Sequence, residues 1–573
     1  MSPEQPKASA PSVAAAMAEL IAGYGGRHLF TLTGAPQNLL IEAQDRAGVK
    51  VILTRTERSA VAMADAYARI SGTPTFSFAQ SGPGVAMMAS GLLEAAWARS
   101  PVIGIGGSVS TRTRHRFEYQ EHEQLPWFGF ARSAAEIPSP DRIADMFRSA
   151  VRAAMAPSPG PSFLSIPNDW FVKPAGSEPL HVEQKFTQLP SLRFAPAVED
   201  IESAAAVIRK AKKPVIVAGD GILISGAWNE LTRLAEATGI PVVTSLAGKG
   251  AISERHPLAV GVGGRYSRKV ANDVLAASDV CIAIGTRLSS VSSDAFRFPA
   301  QGTTVVHFDL DASSLGRNYC ETVSAIGDPK LVLEMLSTAL HSDAAALAGK
   351  WADWTLDVQG QVEAWRATVA KRSRNKTADG AIDPVYVLDA LNRFITDDDI
   401  VVADTGYMSS WLATLLDQKR VGRRLLKAAG SLGWAFPAAF GARLAATPKQ
   451  KVIGLSGDGG VGYHFADLET GMRLGLPVIQ IVMNNASLGF EYHLQQHEHR
   501  ELCAEAHEYR DVDFAAVARG FDCYGERVTD PDKLDGALAR ALDCGKPAIV
   551  DVVVSREVPA PVTRYEAAGL RDF

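Results

Sequence analysis

Short apolar runs alternate with stretches of helical period along most of this chain. A helix-like segment (Val13 to Ala22) is followed by apolar runs at His28 to Thr33, Val49 to Thr54, Thr75 to Ala79 and Pro101 to Gly106. The series closes near Phe163-Leu-Ser-Ile-Pro167, after the turn Pro157-Ser-Pro-Gly-Pro161. Continuously apolar strands are buried on both faces, so their alternation with helices predicts a parallel sheet covered on both sides. Residues from Lys173 to Ala195 are polar, broken by prolines and without sustained period, and read as a linker. A second alternating unit begins near Ala197, with strands at Pro214 to Ala218, Pro241 to Thr244, Val280 to Ile284 and Thr304 to Phe308. Residues Ala344 to Ala378 are helical and charged, and their basic run Lys371-Arg-Ser-Arg-Asn-Lys376 reads as a solvated connector. A third unit runs from Asp383 through Ile400-Val-Val-Ala403 to Ala548-Ile-Val-Asp-Val-Val-Val554. The expected fold class is α/β, with three doubly wound parallel-sheet domains at 12–180, 196–345 and 380–556, then a tail, 557–573, free to act as a lid.

The 573 residues suit three to four domains at about 150 residues each. With 21% charged residues and a net charge of −5, no basic field favours nucleic acid or a membrane surface. The five cysteines are scattered, with no CxxC pair, which argues against a disulfide framework or a zinc site and fits a reducing cytoplasm. Met1 to Ser12 are rich in Pro, Ser and Ala, lack the marks of a signal peptide and read as a loose arm. No uncharged apolar run reaches the roughly 18 residues of a membrane span, so a soluble, cytoplasmic protein is expected.

Candidate chemistry concentrates at Leu455-Ser-Gly-Asp-Gly-Gly-Val-Gly-Tyr463, which closes the apolar run Lys451-Val-Ile-Gly-Leu455. A buried strand ending in a glycine turn leaves Asp458 at the strand tip among free backbone N–H groups, a place for an anion. A second apolar strand, Leu476 to Met483, delivers Asn485, 27 residues after Asp458. That spacing holds one crossover helix, so the two side chains are expected at neighbouring strand ends. Carboxylate and amide oxygens suit Mg2+, which keeps few protein ligands and completes its octahedron with water and a bound diphosphate. The tripeptide alone proves little. Gly219-Asp-Gly221 also follows an apolar strand, but 27 positions after Asp220 stands Ala247, which cannot ligate, and that copy reads as a plain turn.

Gly-Asp-Gly, a spacer of this length and then Asn-Asn together resemble the signature of thiamine diphosphate (ThDP) enzymes. The resemblance covers nearly the whole chain and is nearest the acetohydroxyacid-synthase-like branch, the pyruvate decarboxylase/2-hydroxyacyl-CoA lyase superfamily. It implies pyrimidine-binding, central and diphosphate-binding domains in that order, and a metal held by Asp458, Asn485 and a main-chain oxygen of Ser487. It also implies sites built from two subunits, hence a homodimer or homotetramer. In this family a carboxyl group bonded to the pyrimidine ring assists removal of the thiazolium C2 proton.

Thr54-Arg-Thr-Glu57 followed by Ala64-Asp-Ala-Tyr-Ala-Arg69 resembles the family's strand-end Glu and the helix after it, with Ala66 in a glycine's place. Glu57 is then the activating carboxylate, where the residues alone read it as a helix N-terminal acid favoured by the dipole. Its presence argues against the glyoxylate carboligase subgroup. Gln80-Ser81-Gly-Pro-Gly84 resembles the Ser-Gly-Pro-Gly loop at the cofactor, and Gly34 after the first strand joins the implied set. Tyr119-Gln-Glu-His-Glu-Gln124 aligns with a Phe-Gln-Glu segment, which assigns substrate contact to Gln120; His122 can move protons near neutral pH or be a polar loop residue. The cluster Arg112-Thr-Arg-His-Arg116 is a solvated loop or a clamp for an anionic group such as a phosphate of coenzyme A.

In the third domain Gly406, Tyr407 and Met408 stand where relatives grip the diphosphate with Gln-His, so backbone N–H groups take over that role. Gly430-Ser-Leu432-Gly433 resembles the loop whose Met wedges ThDP into its bent form, with Leu432 as the wedge; Gly459 and Gly460 complete the cofactor set. Glu491 is a candidate acid/base or a solvated first-turn Glu. His493 and His497 share a helix face, but HLQQH lacks the internal Glu of a metalloprotease. Leu494 replaces the Trp that favours 2-oxobutyrate in acetohydroxyacid synthases. Turns at Leu246 to Gly250, Gly263 to Arg265 and Gly285 to Arg287 are similar to those of relatives that bind FAD or ADP.

The implied activity is making or breaking a carbon–carbon bond beside a carbonyl, with ThDP and Mg2+ as cofactors. A 2-oxo acid carboligase competes with a 2-hydroxyacyl-CoA lyase or oxalyl-CoA-decarboxylase-like enzyme acting on coenzyme A thioesters. A non-catalytic regulatory subunit is the reading of another class. A nicotinamide dehydrogenase needs a GxGxxG turn after a strand, which is missing here.

Overall fold

The computed structural model describes residues 10–372, 375–499 and 502–563. Most of the N-terminal arm, Ser373 and Arg374 of the basic run and the tail beyond 563 lie outside them. The chain forms two compact units, one of residues 1–192 with 440–445 and one of residues 193–439 with 446–573.

The first unit holds a six-stranded parallel sheet of β1 (His28–Leu32), β2 (Lys50–Leu53), β3 (Thr75–Ala79), β4 (Val102–Ser108), β5 (Ser133–Glu136) and β6 (Ser162–Pro167), in the order β2-β1-β3-β4-β6-β5. The second unit holds two more. One orders β7 (Pro214–Ala218), β8 (Val242–Thr244), β9 (Ala259–Val262), β10 (Val280–Ile284), β11 (Thr304–Asp309) and β12 (Val323–Ile326) as β12-β11-β10-β7-β8-β9. The other orders β13 (Ile400–Ala403), β14 (Leu425–Lys427), β15 (Val452–Gly457), β16 (Ile479–Asn484), β17 (Tyr524–Val528) and β18 (Ala548–Val553) as β14-β13-β15-β16-β18-β17. The three sheets are all-parallel, as the apolar alternation predicts. Interior strands such as β3, β4, β7 and β10 are buried at every residue, matching their apolar runs. Among the described residues no single helix is long and apolar enough to cross a membrane, and one bent helix pair, Pro329–Leu340 with Ala344–Lys350, meets that test only jointly.

Beside its first strand in sequence each sheet has a place where the strand order reverses, and ligands of open α/β sheets bind in the crevice beyond the strand ends there. In the first sheet the reversal lies between β1 and β3, in the third between β13 and β15. In the central sheet it lies between β7 and β10, and there the crevice is stitched shut. Gly219 N donates to Ile284 O at 3.0 Å and Gly221 N to Gly285 O at 2.9 Å. A Cβ on Gly219 would overlap the Gly285 carbonyl, and one on Gly221 would stand 2.6 Å from Gly285 Cα. The second Gly-Asp-Gly thus owes its glycines to backbone packing at the head of helix α3 (Asp220–Ser225). Because Gly219 has an ordinary φ of −97°, Gly219→Ala is an overpacking test without backbone strain. It is expected to destabilise the protein by about 1–3 kcal/mol, read as a lower Tm.

The other helices that matter are α1 (Glu57–Ser71) after β2, α2 (Pro83–Trp97) after β3, α4 (Tyr407–Thr414) after β13 and α5 (Gly489–Glu498) after β16; α3 lies between the two pairs in sequence.

Candidate functional site

In the first unit, loops that follow β1, β2, β3 and β4 converge at the reversal. Thr56 caps α1 with its hydroxyl, accepting from Ser59 N at 3.0 Å, which sets Glu57 in the first turn. Burial raises the Glu57 carboxyl above the usual carboxylate range, opposed by a backbone hydrogen bond. A Cβ on Gly84 would lie 3.0 Å from Glu57 Oε1 and 3.6 Å from Gln80 Cβ, and a Cβ on Gly34 would collide with the Gln80 carboxamide. Gln80 Nε2 donates to Gln120 Oε1. Gly34, Glu57, Gln80, buried Ser81 and Gln120 are therefore gathered in one place.

The turn at Gly82, with φ of +66°, lies so close under the Gln120 backbone that a Cβ would come within 2.5 Å of its carbonyl oxygen. Gln124 clamps it: its Oε1 accepts from Gly82 N and its Nε2 donates to Gly107 O, both at 3.0 Å. The sequence singled out His122 in this segment and assigned nothing to Gln124. His122 is exposed, with Nδ1 3.1 Å from Glu123 O and its ring 4.8 Å from Trp127, and no contact brings it to Glu57. In the arginine cluster Arg114 pairs with Glu136 at 2.7 Å, while Arg112 and Arg116 are exposed. The helix motif Asp65-Ala-Tyr-Ala-Arg69 is internal: Arg69 donates to buried Asp65 from Nε at 2.8 Å and comes within 3.7 Å of Glu94 on α2.

In the second unit, the register Gly457↔Met483 sets the tips of β15 and β16 side by side. Ser487 N donates to Asp458 Oδ2 and to Asn485 Oδ1, each at 3.1 Å, so the two side-chain oxygens separated by 27 residues share one donor. Ala486 between them adopts a left-handed φ of +53°, a conformation rare for a residue with a Cβ and characteristic of functional turns. Asn484 instead faces the scaffold, donating to Asp551 Oδ1 at 3.0 Å and to Val512 O at 2.9 Å. Asp458 is 7% exposed. Burial pushes its carboxyl up to about 7, and the influences that oppose this are backbone N–H groups rather than a cationic side chain. Among the described residues no group of three or more His, Cys, Asp and Glu is placed to hold a metal.

Asp404, at the end of β13, ties the remaining loops together. It is fully buried and accepts from Thr405 N at 2.9 Å and from Gly433 N at 2.9 Å, and a Cβ on Gly460 would collide with its carboxylate. This fixes the Gly430–Gly433 loop against Gly459-Gly460, leaving Leu432 half-buried and Gly430 exposed. Gly406 caps α4 with φ of +65°; apart from its chain neighbours, no atom of the described residues lies within 4 Å of where its Cβ would sit, and the same holds at Gly457. Two strand tips thus border open space, one of them at the N-terminus of α4. Tyr407 and Met408 are buried. Glu491 is exposed on the first turn of α5. His493 is buried, the Tyr407 hydroxyl is hydrogen-bonded to His493 Nδ1 at 2.6 Å, and burial lowers the imidazole to about 4. Lys249, in one of the nucleotide-like turns, is committed to buried Glu254 at 2.5 Å and to Ala413 O at 3.2 Å.

Three family models match the chain. Residues 11–127 match "Thiamine pyrophosphate enzyme, N-terminal TPP binding domain", 201–336 its central domain and 404–552 its C-terminal TPP binding domain. A probable acetolactate synthase large subunit of Methanocaldococcus jannaschii is 31% identical over 527 residues, 89% of this chain and 86% of that protein. The sulfoacetaldehyde acetyltransferase of Castellaniella defragrans is 27% identical over 572 residues, covering 96% and 94%. The acetolactate synthase isozyme 3 large subunit of Escherichia coli is 26% identical over 523 residues, 89% of each chain.

Proposed function

Because the chain belongs to the thiamine pyrophosphate enzymes and is a ThDP-dependent enzyme, we propose that it is a Mg2+-requiring carboligase acting on a 2-oxo acid. The observation that carries the metal and diphosphate half is the convergence of Asp458 and Asn485 on Ser487 N at a strand-order reversal. The residues fit the cofactor. Open space borders Gly406 and Gly457, the first leads into the N-terminus of α4, and none of the main influences on the buried Asp458 carboxyl among the described residues is a cationic side chain.

When bound, ThDP supplies a carbon nucleophile and a sink for the negative charge left after carbon–carbon cleavage. In this reading Asp458, Asn485 and the Ser487 carbonyl would hold Mg2+, and the backbone N–H groups of Tyr407 and Met408 would hold the diphosphate. Leu432 would pack against the cofactor. Glu57, whose carboxyl is raised by burial, would share a proton with a nitrogen of the pyrimidine ring. Gln120, oriented by Gln80, donates to the substrate's carboxylate or developing oxyanion. Neither His122 nor Glu491 is needed for these steps. A homodimer or homotetramer in the cytoplasm, with domains at 12–180, 196–345 and 380–556, belongs to the same reading.

Relatives named acetolactate synthase favour a 2-oxo acid. The coenzyme A reading retains one support, the exposed Arg112 and Arg116, but the Arg114 charge is already taken by Glu136. Pure protein with ThDP and Mg2+ is therefore expected to release CO2 from 2-oxo acids offered singly and to be inert toward 2-hydroxyacyl-CoA and oxalyl-CoA. Turnover of a thioester with none of a 2-oxo acid would reverse the assignment.

A further inference from the structure

The hydrogen bond from Tyr407 to His493 joins segments 86 residues apart. Tyr407 opens α4, directly after Gly406, and His493 sits in α5, six residues beyond Ser487. Between them lies Gly489. A Cβ on Gly489 would stand 3.0 Å from Asn485 Nδ2 and 3.2 Å from a Tyr407 ring carbon, so the ring edge and the Asn485 amide are a single methyl's width apart. Phe490 packs edge-on to the Tyr407 ring at 5.7 Å and Trp411 at 6.4 Å, which limits how the ring can tilt.

The His493 ring is met by more oxygens than a neutral imidazole has hydrogens. Gly489 O lies 3.0 Å from Nδ1, and the Glu557 backbone also bonds the ring. Carbonyls only accept, whereas the Tyr407 hydroxyl can donate. With the ring hydrogen on Nε2, Nδ1 accepts from the Tyr407 hydroxyl; with it on Nδ1, the hydroxyl accepts from the ring, and either way the 2.6 Å contact joins the two side chains. Glu557 begins a docked segment: Val558, Ala560 and Val562 are buried, and Ser410 on α4 donates to Pro561 O at 2.7 Å. The Tyr492 hydroxyl, next to His493, donates to the Glu557 carboxylate at 3.2 Å.

We propose that Tyr407 and His493, backed by Glu557, form a latch that sets the N-terminus of α4 against the Asn485–Ser487 loop and so determines how tightly Mg2+ and ThDP are held. The proposal rests on the reading of these two elements as the diphosphate and metal half of the site. His493 is a positioning residue acting through Tyr407, and the Tyr407 hydroxyl is spent on this bond rather than on the diphosphate.

The test is calorimetric titration of ThDP into full-length protein at saturating Mg2+, with Tm of the cofactor-free protein measured alongside. Tyr407→Phe, which keeps the ring, and His493→Leu are each expected to weaken ThDP binding about tenfold, the worth of a buried hydrogen bond. The double variant should be no weaker than the worse single one, because the two side chains act as one unit. His493→Asn, with a polar atom near the Nδ1 position, should restore affinity to within about threefold of the original. Lowered Tm with unchanged ThDP affinity, or losses that multiply in the double variant, would overturn the latch. A parent protein that fails to bind ThDP and Mg2+ at all would instead overturn the site reading beneath it.

Discussion

Glu57→Gln is expected to lower turnover by about 10²–10⁴-fold, the usual worth of a positioned acid–base group, while ThDP affinity stays within a few fold. The amide has nearly the same shape, so it keeps its place beside Gly84 and Gln80 and can still form a hydrogen bond. It cannot give up or take a proton at neutral pH. The effect should therefore appear in kcat rather than in cofactor binding, and in hydrogen–deuterium exchange at C2 of bound ThDP, which should slow in parallel. The environment supports a proton-sharing role over a plain helix-terminal charge. Desolvation is the largest influence on Glu57 and raises its pKa, whereas a surface acid stabilised by the dipole would be held low. Undiminished exchange and turnover in the variant would return Glu57 to the simpler role.

Interior strands were legible because burial on both faces writes an unbroken apolar run, as in Val280-Cys-Ile-Ala-Ile284. Edge strands were not. Ser133-Ala-Ala-Glu136 is half-exposed and has neither the composition nor the alternation of a strand; its pairing with β6 comes from the sheet. The same limit applies to the site. Asp458 and Asn485 could be paired from spacing, since one crossover connects parallel neighbours. Gln124 and Asp404 could not, because their partners lie 42 and 29 residues away in loops whose approach depends on Gly82 and Gly433 taking positive φ. His122 drew attention through its chemistry, yet a loop that turns at Gln120, φ +63°, buries Gln124 and leaves His122 outside. Of the Tyr407–His493 pair, Tyr407 stood out in the sequence as a departure from the family's pattern and His493 only as one of two histidines on a helix face.

Replacing Asp458 by Asn should weaken Mg2+–ThDP binding by about 100-fold or more, beyond the 10–100-fold typical of residues that merely support a metal ligand. The pH dependence identifies the carboxylate as the cause. In the cofactor-free protein burial pushes the Asp458 carboxyl up to about 7, while in the unfolded chain it keeps the ordinary carboxylate value of 3.8. Between these values the folded state binds more protons than the unfolded one, so stability falls as pH rises from about 4 to about 7 and levels off above, by roughly 4 kcal/mol at most. Asp551, pushed up to about 6 chiefly by burial, adds a slope of the same sign that the variant retains. A divalent ion needs the ionised form, so Mg2+ should bind about tenfold more weakly for each pH unit below 7 and should restore at pH 8 the Tm lost on raising the pH. In Asp458→Asn the cofactor-free Tm should be higher than the parent's at pH 8 and nearly unmoved by Mg2+ and ThDP. A variant that still gains stability from both would mean that the cation sits elsewhere and that Asp458 is only a strand-tip carboxyl held by Ser487.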